Sequence, residues 1–384
     1  MASSRLNSLV LLLGLALGFA GACVAGRRAL AYKPSNFTRF SPHLSAETFY
    51  YPTFATLENL ALARWHPGQT VVIIGGNSIL NGVGQPADEL WSRHLQSLLG
   101  ERYVVVNLSF RGGQPAEGGA LVAESLLRQG VPVLLVNNTA PGAIGRAFDH
   151  EYSQLFWQAR YRGRLLPHEP RELDLSAREQ LLAPAAREKR AEQRLGARLD
   201  AIFNFQPLWH HVAYRHFSTV WSHLLPRDWW RPRDDFPDSE PAPAPLPERF
   251  QAGFDVEMNI VRGFTAAMGA PDGQGGWKVD SGWLRAAADS IDAVFPDRLR
   301  PRLLMLLNQN CPYYRDRLTP AERDRDTAVF AAYEQMWRRN GIGCLTVGAD
   351  FNADDYKDRT HLSPSGGQKL AALVAAEIRR LDQP

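Results

Sequence analysis

Near its C-terminus the chain reads Asp358-Arg359-Thr360-His361, an acid three residues before a histidine, with the helix start Ser363-Pro364 just beyond. A histidine held in one tautomer by a carboxylate is what activation of a serine hydroxyl requires. The serine has to come from elsewhere, and Val71-Val72-Ile73-Ile74-Gly75-Gly76-Asn77-Ser78 provides a candidate. There a run of β-branched residues leads through a Gly-rich turn to Ser78. A hydroxyl on such a strand-to-helix turn is exposed, and the first N–H groups of the helix can face a developing oxyanion. Ser78 is therefore the candidate nucleophile, His361 the candidate base and Asp358 the acid beside it. Each also has a plain structural use. Ser78 could be an N-cap, His361 could merely lead into the next helix, and Asp354 and Asp355 compete with Asp358 at longer spacing.

Elements between residues 53 and 149 must deliver these groups. Thr53 to Arg64 has helical spacing. Val71 to Ile74 reads as a buried parallel strand. Glu89 to Leu99 is helical and stops at Gly100. Tyr103 to Val106 is a second strand, and a loop with Gly112-Gly113 follows. Ala116 to Arg128 is a helix ended by Gly130. Val133 to Val136 is a third strand, running into Asn137-Asn138-Thr139. Alternating strands and helices with short connections specify a doubly wound parallel α/β sheet, whose ligands sit at the carboxyl ends of its strands. Ser78, Gly112 and Asn137/Asn138 all fall just past such ends. Gly112 offers a backbone N–H that no side chain obstructs. Asn137 or Asn138 offers a side-chain N–H, and the residues alone do not choose between the two.

The alternation breaks after residue 149 and resumes at 298, so residues 150–297 form a large, mostly helical insertion. It holds a charged segment from Ala177 to Leu199 that reads as helical at least after Pro184, an aromatic-rich segment from Phe203 to Leu225 and a Pro-rich connector over 231–247. Helices are expected over Phe250 to Met268 and Ser281 to Phe295, with a flexible Gly-rich turn at Gly269 to Gly276 between them. In the aromatic segment, His210, His211, His216 and His223 include no pair three or four apart, the spacing that places two ligands together on a helix. An interfacial or lid helix fits Trp209, Tyr214 and Trp221 better than a metal site does. The sheet resumes with a strand over Arg302 to Leu307, a helix over Pro320 to Arg339 and a strand over Cys344 to Val347. Ser363 to Leu381 is the last helix.

Net charge is +3 and no basic block is interleaved with aromatics, so nothing points to nucleic acid. Three cysteines without a CxxC pair give no zinc motif. Cys311 follows one strand and Cys344 begins the next. The two lie about 17 Å apart if the strands are neighbours, beyond the reach of a disulfide, so both thiols are expected to be free. Asp350 to Asp354 has the alternating oxygens of a calcium loop. Asp355 stands where that loop needs Gly, however, and His361 where it needs Glu. No cofactor or metal is expected.

Leu9 to Gly26 is an uncharged apolar run flanked by Arg5 and Arg27-Arg28. It is long enough to be a signal-anchor helix. A cleaved signal peptide also fits the small residues near its end, and Ala20-Gly21-Ala22-Cys23 resembles a lipidation box. Residues 1–31 form this segment in any case, and 32–52, with Pro34 and Pro42, read as a tether. All three readings place the globular part outside the cytoplasmic membrane.

In their order along the chain, four stretches resemble the blocks of the SGNH (GDSL-type) hydrolases. Gly76-Asn77-Ser78-Ile79 is similar to the nucleophile block, with Asn77 where the family commonly has Asp. Asn107 to Gly112 is similar to the glycine block. Val133 to Asn138 is similar to the asparagine block without its usual Gly, and Asp358 to His361 to the acid–histidine block. The resemblance covers about residues 70–138 and 300–381. It implies a three-layer α/β/α fold, SGNH or flavodoxin-like, with a five-stranded sheet over 53–149 and 298–384. It also implies a Ser78–His361–Asp358 triad, and an oxyanion hole made of the Ser78 and Gly112 N–H groups and one Asn side chain. The exported layout further resembles SGNH-like proteins that help O-acylate bacterial surface polysaccharides, where a membrane-bound acyltransferase supplies the acyl group. The expected activity is thus that of a serine esterase or O-acyltransferase on an acylated glycan or small ester. A secreted lipase or thioesterase, and a non-catalytic glycan-binding or assembly protein on the same scaffold, are the rival expectations.

Overall fold

The computed structural model describes residues 2–30, 37–40, 52–141, 153–203 and 248–382. The aromatic-rich segment with its histidines, the Pro-rich connector and most of the expected tether lie outside the described residues.

The elements run α1 (Ala2–Leu30), α2 (Phe54–Leu62), β1 (Thr70–Ile74), α3 (Ser78–Asn81), α4 (Trp91–Leu99), β2 (Tyr103–Asn107), α5 (Gly119–Arg128) and β3 (Val133–Thr139). The insertion contributes α6 (Gln154–Tyr161), α7 (Glu169–Leu181), α8 (Pro184–Phe203), α9 (Glu248–Gln251), α10 (Phe254–Phe264), β4 (Gly269–Pro271), β5 (Trp277–Val279) and α11 (Ser281–Val294). Then follow β6 (Leu303–Asn308), α12 (Pro312–Arg315), α13 (Pro320–Arg339), β7 (Gly343–Val347) and α14 (Pro364–Leu381).

Five strands form one all-parallel sheet in the order β2-β1-β3-β6-β7. Every residue of β1 is buried, because the sheet is covered on both faces. Val71 and Ile73 join a core with α2, α5, α6, α11 and α13, whereas Val72 and Ile74 join a second core with α4 and α14. Successive side chains of a strand point to opposite faces, so an unbroken β-branched run suits this central position. The described part of the insertion feeds both cores, Phe156 and Ile291 on one side, Phe250 and Met258 on the other. From β1 the chain turns to β2 on one side, and β3 lies on the other. The crevice between their carboxyl ends is the switch point where doubly wound sheets bind ligands.

Three expectations need correction. The third strand runs to Thr139, because pairing with β6 continues through Asn137↔Met305, Asn138↔Leu306 and Thr139↔Leu307. The expected helix over Phe250 to Met268 is two helices broken at Gly253, which has φ 70°. The Gly-rich turn after it closes the antiparallel β4–β5 hairpin. There the Asp272 carboxylate accepts from the Gln274 and Gly276 N–H groups, each at 2.8 Å. Finally, residues 37–40 of the expected tether are packed into the domain, with Phe37, Arg39 and Phe40 all buried. Their aromatic rings meet edge to face at 5.0 Å, and the Arg64 guanidinium donates to the Phe37 carbonyl.

Cys311 and Cys344 are free and buried, in the two separate cores. Burial pushes the Cys311 thiol up to about 12 and raises that of Cys344 as well. Since the thiolate is the nucleophile, neither should be alkylated by iodoacetamide at pH 8 in the folded protein. Both should be modified after denaturation, as read by peptide mass.

Candidate active site

Ser78 opens α3, immediately beyond β1. The N-cap of this helix is Asn77, whose Oδ1 accepts the Ile79 N–H at 3.0 Å. Because Asn77 caps the helix, the Ser78 hydroxyl is left for other work. It lies 2.9 Å from His361 Nε2, across a separation of 283 residues. His361 Nδ1 lies 2.7 Å from Asp358 Oδ2. A carboxylate only accepts, so Nδ1 carries the proton of the neutral ring and Nε2 is the acceptor for the serine O–H.

Asp358 also organises its own loop, its Oδ1 accepting the Thr360 N–H at 2.9 Å and the His361 N–H at 2.8 Å. Burial pushes its carboxyl up, but the His361 hydrogen bond and charge, with the two backbone donors, outweigh that and hold it down to about 2. Of the rival acids, Asp355 is engaged elsewhere, binding Lys369 Nζ at 2.6 Å and accepting the Asn352 N–H at 2.9 Å, and Asp354 is exposed on the short helical turn 353–355, where its backbone carbonyl accepts from the Ser363 hydroxyl. Among the described residues no group of three His, Cys, Asp or Glu could hold a metal ion.

A depressed folded-state pKa contributes stability that is fully present above the unfolded value, about 4, and lost as pH falls through the folded one. Asp358→Asn should therefore be less stable than wild type at pH 6. The gap should close as pH falls from about 4 toward about 2, measured by urea midpoints.

The oxyanion candidates divide. Ser78 N–H and Gly112 N–H have no acceptor among the described residues. Gly112 is exposed with φ 74°. Asn137 is turned away: wholly buried, its Nδ2 donates to the Pro115 carbonyl at 2.7 Å. Asn138 faces the site, since adjacent residues of a strand point to opposite faces. Its Oδ1 accepts the Asn77 N–H at 3.1 Å, and its Nδ2 donates to Asn77 Oδ1 at 2.9 Å and Asn308 Oδ1 at 3.2 Å. Both amide hydrogens are thus committed, and in this arrangement Asn138 holds Asn77, the residue before Ser78, and offers no N–H to an oxyanion.

Several supporting residues were not singled out from the sequence. Asn308, at the end of β6, completes the asparagine chain. Gly113 is the glycine of close approach, since a Cβ there would meet the Gly76 carbonyl oxygen at 2.4 Å; the Gly112-Gly113 pair was the available signal. Arg359, inside the acid–histidine stretch, reaches Glu257 Oε2 and Asn310 Oδ1, each at 2.6 Å. Arg249 donates to the Tyr356 carbonyl at 2.7 Å. The insertion therefore braces the loop that carries Asp358 and His361, a contact that sequence spacing does not show.

No protein-family model matches the chain, and no curated protein matches it.

Proposed function

We propose that the protein is a serine esterase or O-acyltransferase of SGNH type, acting on acyl esters of cell-surface glycans. The observation that carries this reading is the hydrogen-bonded chain Ser78 Oγ, His361 Nε2, His361 Nδ1, Asp358 Oδ2, with links of 2.9 Å and 2.7 Å. Ser78 Oγ attacks the ester carbonyl while His361 Nε2 takes its proton. The oxyanion forms against the Ser78 and Gly112 N–H groups. The imidazolium, stabilised by the Asp358 carboxylate, returns the proton to the leaving alkoxide, and an acyl-Ser78 remains. Water or a sugar hydroxyl, deprotonated by His361, then receives the acyl group and frees Ser78.

The sheet order and the position of Ser78 at the β1 end support the SGNH-type assignment. The span Asn7–Gly26, with mean hydropathy 2.3 and only 6% buried, is long and apolar enough to cross a membrane. It supports a membrane anchor; in the reading proposed, the catalytic domain lies outside the cytoplasmic membrane, where a membrane-bound acyltransferase could supply the acyl donor. A non-catalytic glycan-binding role has one observation in its favour, the committed Asn138 amide. Turnover of p-nitrophenyl acetate by the full chain in detergent separates the two. Esterase activity that Ser78→Ala removes supports the enzyme, whereas glycan binding without any esterase activity supports the binding role.

A further inference from the structure

We propose that Arg39 is a positioning residue for Ser78, and that the stretch leading from the N-terminal apolar helix is part of the catalytic unit. The proposal rests on the reading of Ser78 as nucleophile. Arg39 is wholly buried. Its Nη1 donates to the Asn81 carbonyl at 3.3 Å and to the Gly82 carbonyl, and its Nη2 to the Gln85 carbonyl at 2.7 Å. These acceptors line the turn by which the chain leaves α3, the four-residue helix that Ser78 opens. The last carbonyls of a helix have no partner within it, and here one guanidinium satisfies several at once. The turn itself requires a glycine: Gly82 has φ 85°, and a Cβ there would lie 2.4 Å from Leu90 Cδ1 and 3.2 Å from Arg39 Nη1.

Two further links tie this brace to the chemistry. Asn81 Nδ2 donates to the Phe40 carbonyl at 3.1 Å and to the Ser109 carbonyl at 2.9 Å. The Phe40 ring meets Phe110 edge to face at 6.4 Å, just before Gly112 and Gly113. On the other side, Gln85 Oε1 accepts the Trp91 N–H at 2.9 Å, and its Nε2 donates at 3.4 Å to the carbonyl of Leu362, the residue after His361. Arg39 thus stands behind the nucleophile, the glycine loop and the histidine together. A lysine could meet only part of what its planar fork of donors does, and removing it leaves the buried Asn81 and Gln85 carbonyls without a partner among the described residues, while the Gly82 carbonyl keeps the Gln85 N–H at 3.0 Å. Displacements of about 1 Å from outside the chemistry can cost about 10²-fold in rate. Arg39 lies nine positions beyond Leu30, the end of α1. At full extension that tethers the site within roughly 30 Å of the apolar helix.

The test uses full-length Arg39→Met and Arg39→Lys in detergent micelles, with amide hydrogen exchange and p-nitrophenyl acetate kinetics. Arg39→Met should raise exchange over residues 79–85 by about tenfold or more, leaving β1 and β3 protected. It should lower kcat by about 10²-fold with KM within about twofold, and Arg39→Lys should recover part of both. Unchanged exchange over 79–85 would overturn the proposal. So would loosening of the whole sheet alongside that turn, or local loosening with kcat intact. If the wild type hydrolyses no ester, the proposed enzymatic function fails. The role of Arg39 as catalytic positioner falls with it, while the exchange data still decide whether Arg39 braces the turn.

Discussion

Ser78→Ala is expected to lower p-nitrophenyl acetate turnover by about 10⁴-fold or more, and His361→Ala by a similar factor. Without the hydroxyl no acyl-enzyme forms. Without the imidazole the hydroxyl 2.9 Å away has no acceptor for its proton. Since the two act as one unit, the double variant should be no slower than the worse single one. Additive losses would mean that the serine and the histidine act in different steps. His361 lies on a loop with 22% of its side chain exposed, and Ser78 is partly exposed. Ser78→Ala should therefore leave the urea midpoint nearly unchanged, which separates lost chemistry from lost folding, whereas His361→Ala also removes the partner of the Asp358 carboxylate and should lower the midpoint.

Gly76→Ala should be among the most damaging single-methyl changes in the site. Gly76 has φ 87°, and an added Cβ would lie 2.2 Å from Asn138 Oδ1 and 2.9 Å from Asn137 Oδ1. Neither oxygen can swing away freely. The first accepts the Asn77 N–H and the second the Asn138 N–H. Backbone strain and overpacking together should cost about 2–6 kcal/mol, read as a fall in the urea midpoint. Whatever folded protein remains should also lose turnover, because displacing Asn138 displaces Asn77, the residue that caps α3 and precedes Ser78. Gly112→Ala makes the contrast. Its Cβ would meet nothing within 4 Å, so that variant carries only the cost of a positive φ, and its folding should suffer less.

The strands and the hydrogen-bonded meeting of Ser78, His361 and Asp358 were legible because their signals are local. A β-branched run followed by Gly75-Gly76 can hardly be anything but a buried strand and a tight turn, and an acid three residues before His361 sets up its own hydrogen bonds. The order of elements then put Ser78 at the end of the first strand. What was not legible depends on distant partners. The role of Asn138 follows from Asn308, which β6 brings beside it. The length of β3 follows from the same pairing. Residues 37–40 looked like a tether because prolines flank them and Arg39 is charged. A cation is read as solvent-exposed unless its acceptors are known, and these are carbonyls more than forty residues away. The brace of α10 on the acid–histidine loop, through Glu257 and Arg359, was hidden for the same reason.

Activation of Ser78 as a nucleophile by His361 can be read from incubation of the full-length protein with a fluorophosphonate, followed by peptide mass mapping. One adduct is expected, on the peptide containing Ser78, absent in Ser78→Ala and formed far more slowly in His361→Ala. An unmodified Ser78 after prolonged incubation, or an adduct on Ser78 that forms as fast without His361, would contradict that activation.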